Sequence, residues 1–474
     1  MKLWAIIPEL IIAGSALFYI PIAGWVKGKN QLLPGYLTLI SLSFAILFSF
    51  RMLPWTSFDI FKGTYAVDNF GTVFKILILS GSLITLLLLL FYFKKNSHIA
   101  HAPIALLFST LGAMCIASSL DLGLIVLFLQ MMSLAGYVLV AVIRRDKMAN
   151  EAAMKFFIFA AAALSVMAFG LTFLYGLTGS LDLRIIGVSL RSSDSVWIFV
   201  SLLLILIGYG FEITLVPFHF WAPDVYAGST APVAGFLSVV PKIAGFAGLL
   251  RFLLTAYMDN LADWSLIIAI FAAVTMTMAN LTALRQTKLK RLLAYSSIAQ
   301  SGIILMAVAT ADNIDTAISY AGFYLIAYLF MNMGAFSVIS AIERNFGSDD
   351  VILFRGLSRT SPFSAAVLTL SFLSLAGIPP LAGFAGKVFV ISGAIDRGYI
   401  WLVIIAIVNL TIALYYYVSV VAEMYLKQPV NMIKPVQDFY FLLSAGICTA
   451  GTIFFGIFPA AALNFSNLIL HLLK

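Results

Sequence analysis

Two lysines and one glutamate sit where charged side chains are costly. Lys242 lies about eleven residues into the apolar run Ala231 to Leu254, Lys387 in the second half of the run Ser361 to Gly393, and Glu212 near the end of the run Val196 to Val216. An ionised Lys or acid at the centre of a membrane helix costs about 2.5–3.5 kcal/mol even on the mild insertion scale, so such residues mark ion or proton routes by default. Desolvation makes an amine easier to deprotonate, which is the property a proton carrier needs. The chemistry these residues point to is proton transfer within a membrane.

Other constellations are weaker. His98 and His101 are three apart at the start of an apolar run, which suits interface histidines. Cys115 and Cys448 lie far apart with no CxxC, which excludes an iron–sulfur ligand set and favours buried small apolar residues. No GxGxxG, Walker or HExxH pattern occurs, so nucleotide, zinc and redox chemistry on this chain are disfavoured. Lys75 and Lys155 stand within a few residues of predicted helix ends, close enough to snorkel. The run Lys288 to Arg291 reads as an anchor at the membrane surface.

The elements that must position these residues follow from composition. Of 474 residues, 62% are hydrophobic and 10% charged, with a mean hydropathy of +1.06. A soluble domain carries about 45–50% apolar and about 25% charged residues, so the chain reads as an all-α polytopic membrane protein and a single membrane domain over 1–474. Short alternating segments of a transmembrane barrel are missing, and no connection is long enough for a soluble domain. The first apolar run holds Glu9 and is too long for a signal peptide, so it reads as the first span. Hydropathy gives about fourteen helices, near 4–25, 35–53, 71–93, 101–120, 122–143, 152–177, 196–216, 231–254, 265–284, 293–310, 314–342, 361–393, 401–426 and 438–458. The tail after Pro459 reads as interfacial.

Two spans are broken. As one helix, 361–393 would run about 50 Å, beyond a hydrocarbon core of about 30 Å, and Gly377-Ile378-Pro379-Pro380 divides it. Backbone groups freed at that depth are tolerated only against protein or a water-filled cavity, which sets a wet cavity beside Lys387. The seventh span has a related form, with Glu212 before Pro217, His219, Trp221, Pro223 and Asp224. Paired interruptions in two halves point to an inverted-repeat transport site. Connections after odd-numbered spans hold sixteen of the 28 basic residues, and the termini with the even-numbered connections hold eight, so both termini are expected outside. This asymmetry accounts for the net charge of +8 without a nucleic-acid partner.

The stretch Leu215-Val-Pro-Phe-His-Phe-Trp-Ala-Pro-Asp-Val-Tyr-Ala-Gly228, continued by Ala231-Pro-Val-Ala-Gly-Phe-Leu237 and Pro241-Lys-Ile-Ala244, resembles the subunit N family of bacterial respiratory complex I, the NADH:quinone oxidoreductase. Glu151-Ala-Ala-Met-Lys155, Lys290-Arg-Leu-Leu-Ala-Tyr-Ser-Ser-Ile298 and Ala376-Gly-Ile-Pro-Pro-Leu-Ala-Gly-Phe-Ala-Gly-Lys387 extend the likeness over essentially the whole chain. The resemblance implies two inverted five-helix repeats, helices 4–8 over about 101–254 and 9–13 over about 265–426, with helices 7 and 12 broken. It implies a proton-translocating subunit of a bacterial inner membrane. FMN, iron–sulfur clusters and quinone would be used on other subunits and no cofactor held here. The expected partners are the antiporter-like subunit M, small membrane subunits, the lipid bilayer and, indirectly, the hydrophilic redox arm.

The family's proton route uses an acid on helix five and lysines on helices seven, eight and twelve. Lys242 and Lys387 match the last two. Gln130 stands at the helix-five acid, Glu212 at the helix-seven Lys, and Gln300 where helix ten often has a His. Gln130, His219, Gln300 and Lys155 are therefore secondary positions on the expected route, and Glu212 with Lys242 is the expected working pair of the first half. Two rival readings stand beside this one: a scaffold that has lost pumping, favoured by the absent helix-five acid, and a stand-alone cation/proton antiporter.

Overall fold

The computed structural model describes residues 3–26, 31–53, 57–94, 100–143, 146–191, 196–257, 261–310, 314–430 and 435–467, so His98 lies outside the described residues. The chain is almost entirely helical. Its α-helices are α1 (Ile7–Trp25), α2 (Leu33–Arg51), α3 (Asn69–Phe93), α4 (Ala102–Ser118), α5 (Leu122–Val140), α6 (Lys147–Thr178), α7 (Leu183–Leu190), α8 (Val196–Glu212), α9 (Trp221–Gly228) and α10 (Ala231–Ala256). There follow α11 (Leu261–Ala283), α12 (Leu289–Ala309), α13 (Ile314–Phe346), α14 (Leu357–Thr360), α15 (Pro362–Ala376), α16 (Ala382–Asp396), α17 (Ile400–Leu426), α18 (Phe439–Ile457) and α19 (Pro459–Asn467). Among the described residues eleven helices are long and apolar enough to cross a membrane. The shorter apolar helices α4, α8 and α15 stand at the fourth, seventh and twelfth spans of the sequence.

Sequence chemistry sets the helix starts. Asp68, Asp121, Asp146, Asp182 and Asp438 each accept a backbone N–H of the first turn of α3, α5, α6, α7 and α18. These acids satisfy donors that an apolar environment would otherwise strand. Proline opens α2, α4, α10 and α15, where its missing N–H costs nothing.

α10 is the hub, buried along its length and packed on α3, α4, α12 and α13. The faces of α5, α6, α11 and α17 that point outward carry large apolar side chains, among them Phe157, Ile158, Ile270 and Ile407. Two elements were not anticipated. A hairpin pairs β1 (Phe58–Ile60) with β2 (Tyr65–Val67), and Arg184 of the short helix α7 clamps it through Asp59 at 2.5 Å and the Gly63 carbonyl at 2.8 Å. Both lie in even-numbered connections and cover one face of the helix bundle.

Buried ion pairs correct two sequence readings. Lys75 does not snorkel. It is 3% exposed and pairs with Glu9 at 2.6 Å, and Tyr65 donates to the same Glu9 oxygen at 2.6 Å. The run at Lys288 is more than an anchor, because Lys290 turns inward to Glu343 at 2.5 Å and to the Ser229 carbonyl, while Glu343 accepts the Ala231 N–H at 2.7 Å. Together they hold the start of α10 against α12 and α13. A third pair, Arg251 with Asp68 at 2.8 and 3.0 Å, ties the far end of α10 to α3. In each case a partner lies close enough to offset the desolvation that snorkelling would avoid.

Candidate functional site

The second break is built from the end of α15. Gly377 adopts φ +90°, and the N–H groups of Gly377 and Ile378 both return to the Leu373 carbonyl, closing the helix in a left-handed cap. The chain passes Pro379-Pro380 and re-forms as α16, whose Gly383 N–H donates to Ser374 Oγ at 3.0 Å. Ending α15 there frees the Leu375 carbonyl at membrane depth. Lys387 fills the need, donating to it at 2.5 Å. Gln300 of α12 donates to the same oxygen at 3.2 Å and to the Tyr417 hydroxyl at 3.4 Å, and Tyr324 donates to its Oε1. Tyr417 also shares a hydrogen bond with Ser296. The Lys387 side chain lies against Gly377, where a Cβ would fall 2.8 Å from its Cδ.

Lys242 occupies the middle of α10 with no accessible surface. Pro241 interrupts the hydrogen-bond ladder just before it. Its ammonium donates to the Ser297 carbonyl and to Ser301 Oγ at 2.8 Å, both on α12, and lies 5.9 Å from the centre of the Tyr328 ring. Tyr328 shares a 2.7 Å hydrogen bond with Ser297 Oγ and donates to the Ser238 carbonyl, and Asn332 donates to Ser238 Oγ at 2.5 Å. Ser297, Gln300 and Ser301 are within one helical turn. α12 therefore bridges the two lysines with polar groups, and Tyr324, Tyr328 and Asn332 line the facing side of α13 at four-residue spacing.

The first break is looser. α8 ends at Glu212, four residues before the span expected from hydropathy, and α9 begins at Trp221. Thr214 takes φ +60°, Leu215 N–H returns to the Gly210 carbonyl at 2.7 Å, and Trp221 Nε1 donates to the Phe211 carbonyl at 3.1 Å while its ring stacks on Phe156. Glu212 is 3% exposed, and its stem packs against Gly245, three residues beyond Lys242 on α10. No ion pair joins Glu212 to Lys242, whose ammonium turns away to α12. Instead Glu212 lies beside Ser133 and Tyr137 of α5 and Tyr226 of α9, and the same break holds buried polar atoms of Tyr209, Thr214 and His219 that make no hydrogen bond. Buried polar atoms are rarely left unbonded, and such a group is suited to hold water.

The remaining candidates separate. Gln300 joins the axis directly. Pro217, Pro379 and Pro380 lie in the two breaks, and His219 in the first. Gln130 is half-buried on α5, seven residues before Tyr137 and so on the same helix face. Lys155 lies off the axis. It is 40% exposed, pairs with Glu151 at 2.9 Å and with Asp224 at 2.8 Å, and Asp224 also holds Arg291 at 2.9 Å, so these charges latch α6, α9 and α12 at the surface. The tyrosines and serines of α12, α13 and α17 were missed. The four-residue spacing of Tyr324, Tyr328 and Asn332 was the available signal.

Comparison with known proteins follows this geometry. The pattern of the NADH:quinone oxidoreductase/Mrp antiporter transmembrane family matches residues 119–413. NADH-quinone oxidoreductase subunit N of Trichlorobacter lovleyi is 36% identical over 98% of this chain and 96% of its own length. Subunit N 1 of Thermodesulfovibrio yellowstonii is 35% identical over 97% and 98%. A chain of respiratory complex I from Thermus thermophilus superposes with a TM-score of 0.83 at 30% identity, covering 97% of this chain and 99% of that one. A chain of the Mrp complex from Dietzia shares the fold, with a TM-score of 0.89 at 18% identity over 99% and 97%. With both broken helices, the buried lysines and whole-length likeness in place, the chain belongs to the subunit N branch of the NADH:quinone oxidoreductase/Mrp antiporter family.

Proposed function

We propose that this chain is a proton-translocating membrane subunit of an NADH:quinone oxidoreductase, with Glu212, Lys242 and Lys387 as proton-carrying groups. The observation that carries the reading is the line of polar groups from Lys242 through Ser297, Ser301 and Gln300 to Lys387 in the middle of the bundle. Each amine is held by neutral oxygens rather than by a carboxylate. Lys75 and Lys290, by contrast, are paired with the carboxylates of Glu9 and Glu343. The two breaks fall in corresponding places of the two halves, which supports inverted repeats over helices 4–8 and 9–13. Lys155 keeps a structural role at the surface.

In the first half, Glu212 and Lys242 act through space. A carboxylate about 8 Å from an ammonium would favour its charged form by about 2 kcal/mol at an effective dielectric near 20. Ionised Glu212 then holds the proton on Lys242, and neutralising it releases that proton toward Ser301 and α12. The driving redox reaction takes place on other subunits carrying FMN, iron–sulfur clusters and quinone. The neighbours are antiporter-like subunit M and the small membrane subunits, in a bacterial cytoplasmic membrane with both termini outside.

The test is proton pumping against NADH oxidation in the assembled complex reconstituted in vesicles. Lys242→Ala and Lys387→Ala should each depress both. Normal pumping in both variants would make the amines structural and favour a scaffold.

A further inference from the structure

A cavity of about 380 Å³ opens between the α11–α12 turn and the last turns of α17. Most of its wall is apolar, with Leu284, Val351 and Val420 among its residues, and charge enters from Asp350 and Arg355 of the connection after α13 and from Glu423 of α17. We propose that this cavity seats the headgroup of a phosphatidylethanolamine whose acyl chains lie along the outward faces of α11 and α17. The site is independent of which residues carry protons.

The charges suit a zwitterion. Glu423 accepts from Arg355 Nε at 2.6 Å, and both side chains are partly exposed. That bond uses one of the three guanidinium nitrogens, and among the described residues no hydrogen bond reaches the other two. Asp350 has one oxygen engaged, by the Ser348 hydroxyl at 2.7 Å. A phosphate fits the remaining guanidinium donors, and an ammonium with N–H groups fits the carboxylates. Ethanolamine supplies both, whereas choline has no N–H to donate. One guanidinium against two carboxylates leaves the wall net negative, which disfavours an anionic glycerol headgroup. Arg285 and Lys288 are exposed nearby but form no part of the wall.

The apolar remainder suits the tails. α11 and α17 pack on each other, and the C-terminal ends of both reach the cavity. Away from it α11 exposes Met278, Val274 and Ile270, and α17 exposes Tyr415, Val408 and Ile404. Leu284 to Ile270 covers about 21 Å of helix, more than the roughly 15 Å of one hydrocarbon leaflet, so the apolar track runs through the whole leaflet. Tyr415 is exposed and also part of the cavity wall, at the level an interfacial aromatic takes between headgroup and tail. Water alone does not match a mostly apolar wall, and a bare hydrocarbon does not match Arg355 and Glu423. An amphiphile matches both.

The experiment uses the complete complex in vesicles of equal parts phosphatidylethanolamine and phosphatidylglycerol, with a trace of phosphatidylethanolamine carrying a diazirine on the acyl chain close to its headgroup. After photolysis, cross-links mapped by mass spectrometry should concentrate on 281–287 and 415–423. Ser419→Trp, at an exposed position of the wall, fills the cavity and should cut this labelling about fivefold, and Arg355→Gln about as far, the scale of one charge-assisted hydrogen bond. Arg359→Gln removes an exposed charge outside the wall and should change nothing. The same probe with a choline or glycerol headgroup should label severalfold less, and Glu423→Gln should narrow the preference over glycerol. Labelling spread evenly along α11 and α17, equal labelling by the three headgroups, or indifference to Ser419→Trp would each overturn the proposal. So would a cavity that takes up no probe because a neighbouring subunit fills it. Should Arg355→Gln fail to assemble, Ser419→Trp and the headgroup comparison on the unaltered complex still decide.

Discussion

The two halves of the bundle solve the same problem differently. Around Lys387 the polar groups bond to one another: the amine and Gln300 share the Leu375 carbonyl, Tyr324 completes the amide, and Ser374 holds the start of α16. Around Glu212 they do not. Tyr209, Thr214 and His219 of the first break each present a buried atom that makes no hydrogen bond. A closed network fixes side chains and resists rearrangement, while an open one needs water and leaves a carboxylate free to change its neighbours. The second half therefore holds its lysine at one point, and the first half leaves buried polar atoms around its break unbonded.

This contrast can be broken at the breaks themselves. Gly377 sits at φ +90° with the Lys387 side chain pressed against it, so Gly377→Val combines a strained backbone of about 1–3 kcal/mol with a collision. Pumping should fall to near background. In the first half, Gly245→Ala carries no positive-φ strain but brings its Cβ to 2.7 Å from the Ile213 Cγ2 methyl and 3.3 Å from the Glu212 stem, so pumping should fall less far. Equal losses in the two variants, measured as proton uptake in vesicles, would mean that the second half is no more rigid than the first.

A smaller effect sharpens the same point. Tyr324→Phe leaves Gln300 Oε1 without its donor, at a cost of about 1–3 kcal/mol, whereas Tyr137→Phe removes a hydroxyl that meets only Ser133 and should cost less. Thermal melting of the purified complex separates them. A larger drop for Tyr137→Phe would show that the first half is the tightly bonded one.

Much of this was legible from sequence because charge and proline stand out in apolar runs. Lys242, Lys387 and Glu212 were visible as isolated ionisable residues, and Pro217 and Pro379-Pro380 as breaks, since the penalties they carry are local. The ion pairs were not legible. Arg251 meets Asp68 across 183 positions and Lys290 meets Glu343 across 53, and only tertiary packing brings such partners together. The hairpin at Phe58–Val67 escaped for another reason: strands of three residues leave almost no periodic signal. Ser296, Ser297 and Tyr417 are ordinary in membrane helices. Their importance comes from tertiary contacts: Ser297 accepts from Lys242, and Tyr417, bonded to Ser296, accepts from Gln300.

The central claim is that the acid of the first half has moved from α5 to the end of α8. It is tested most directly by proton pumping per NADH oxidised in the intact, reconstituted complex carrying Glu212→Gln or Gln130→Ala. Glu212→Gln keeps the shape and removes the titrating group, so pumping should fall about as far as in Lys242→Ala, while Gln130→Ala stays mild. Equal tolerance of both substitutions, with assembly intact, would contradict the account.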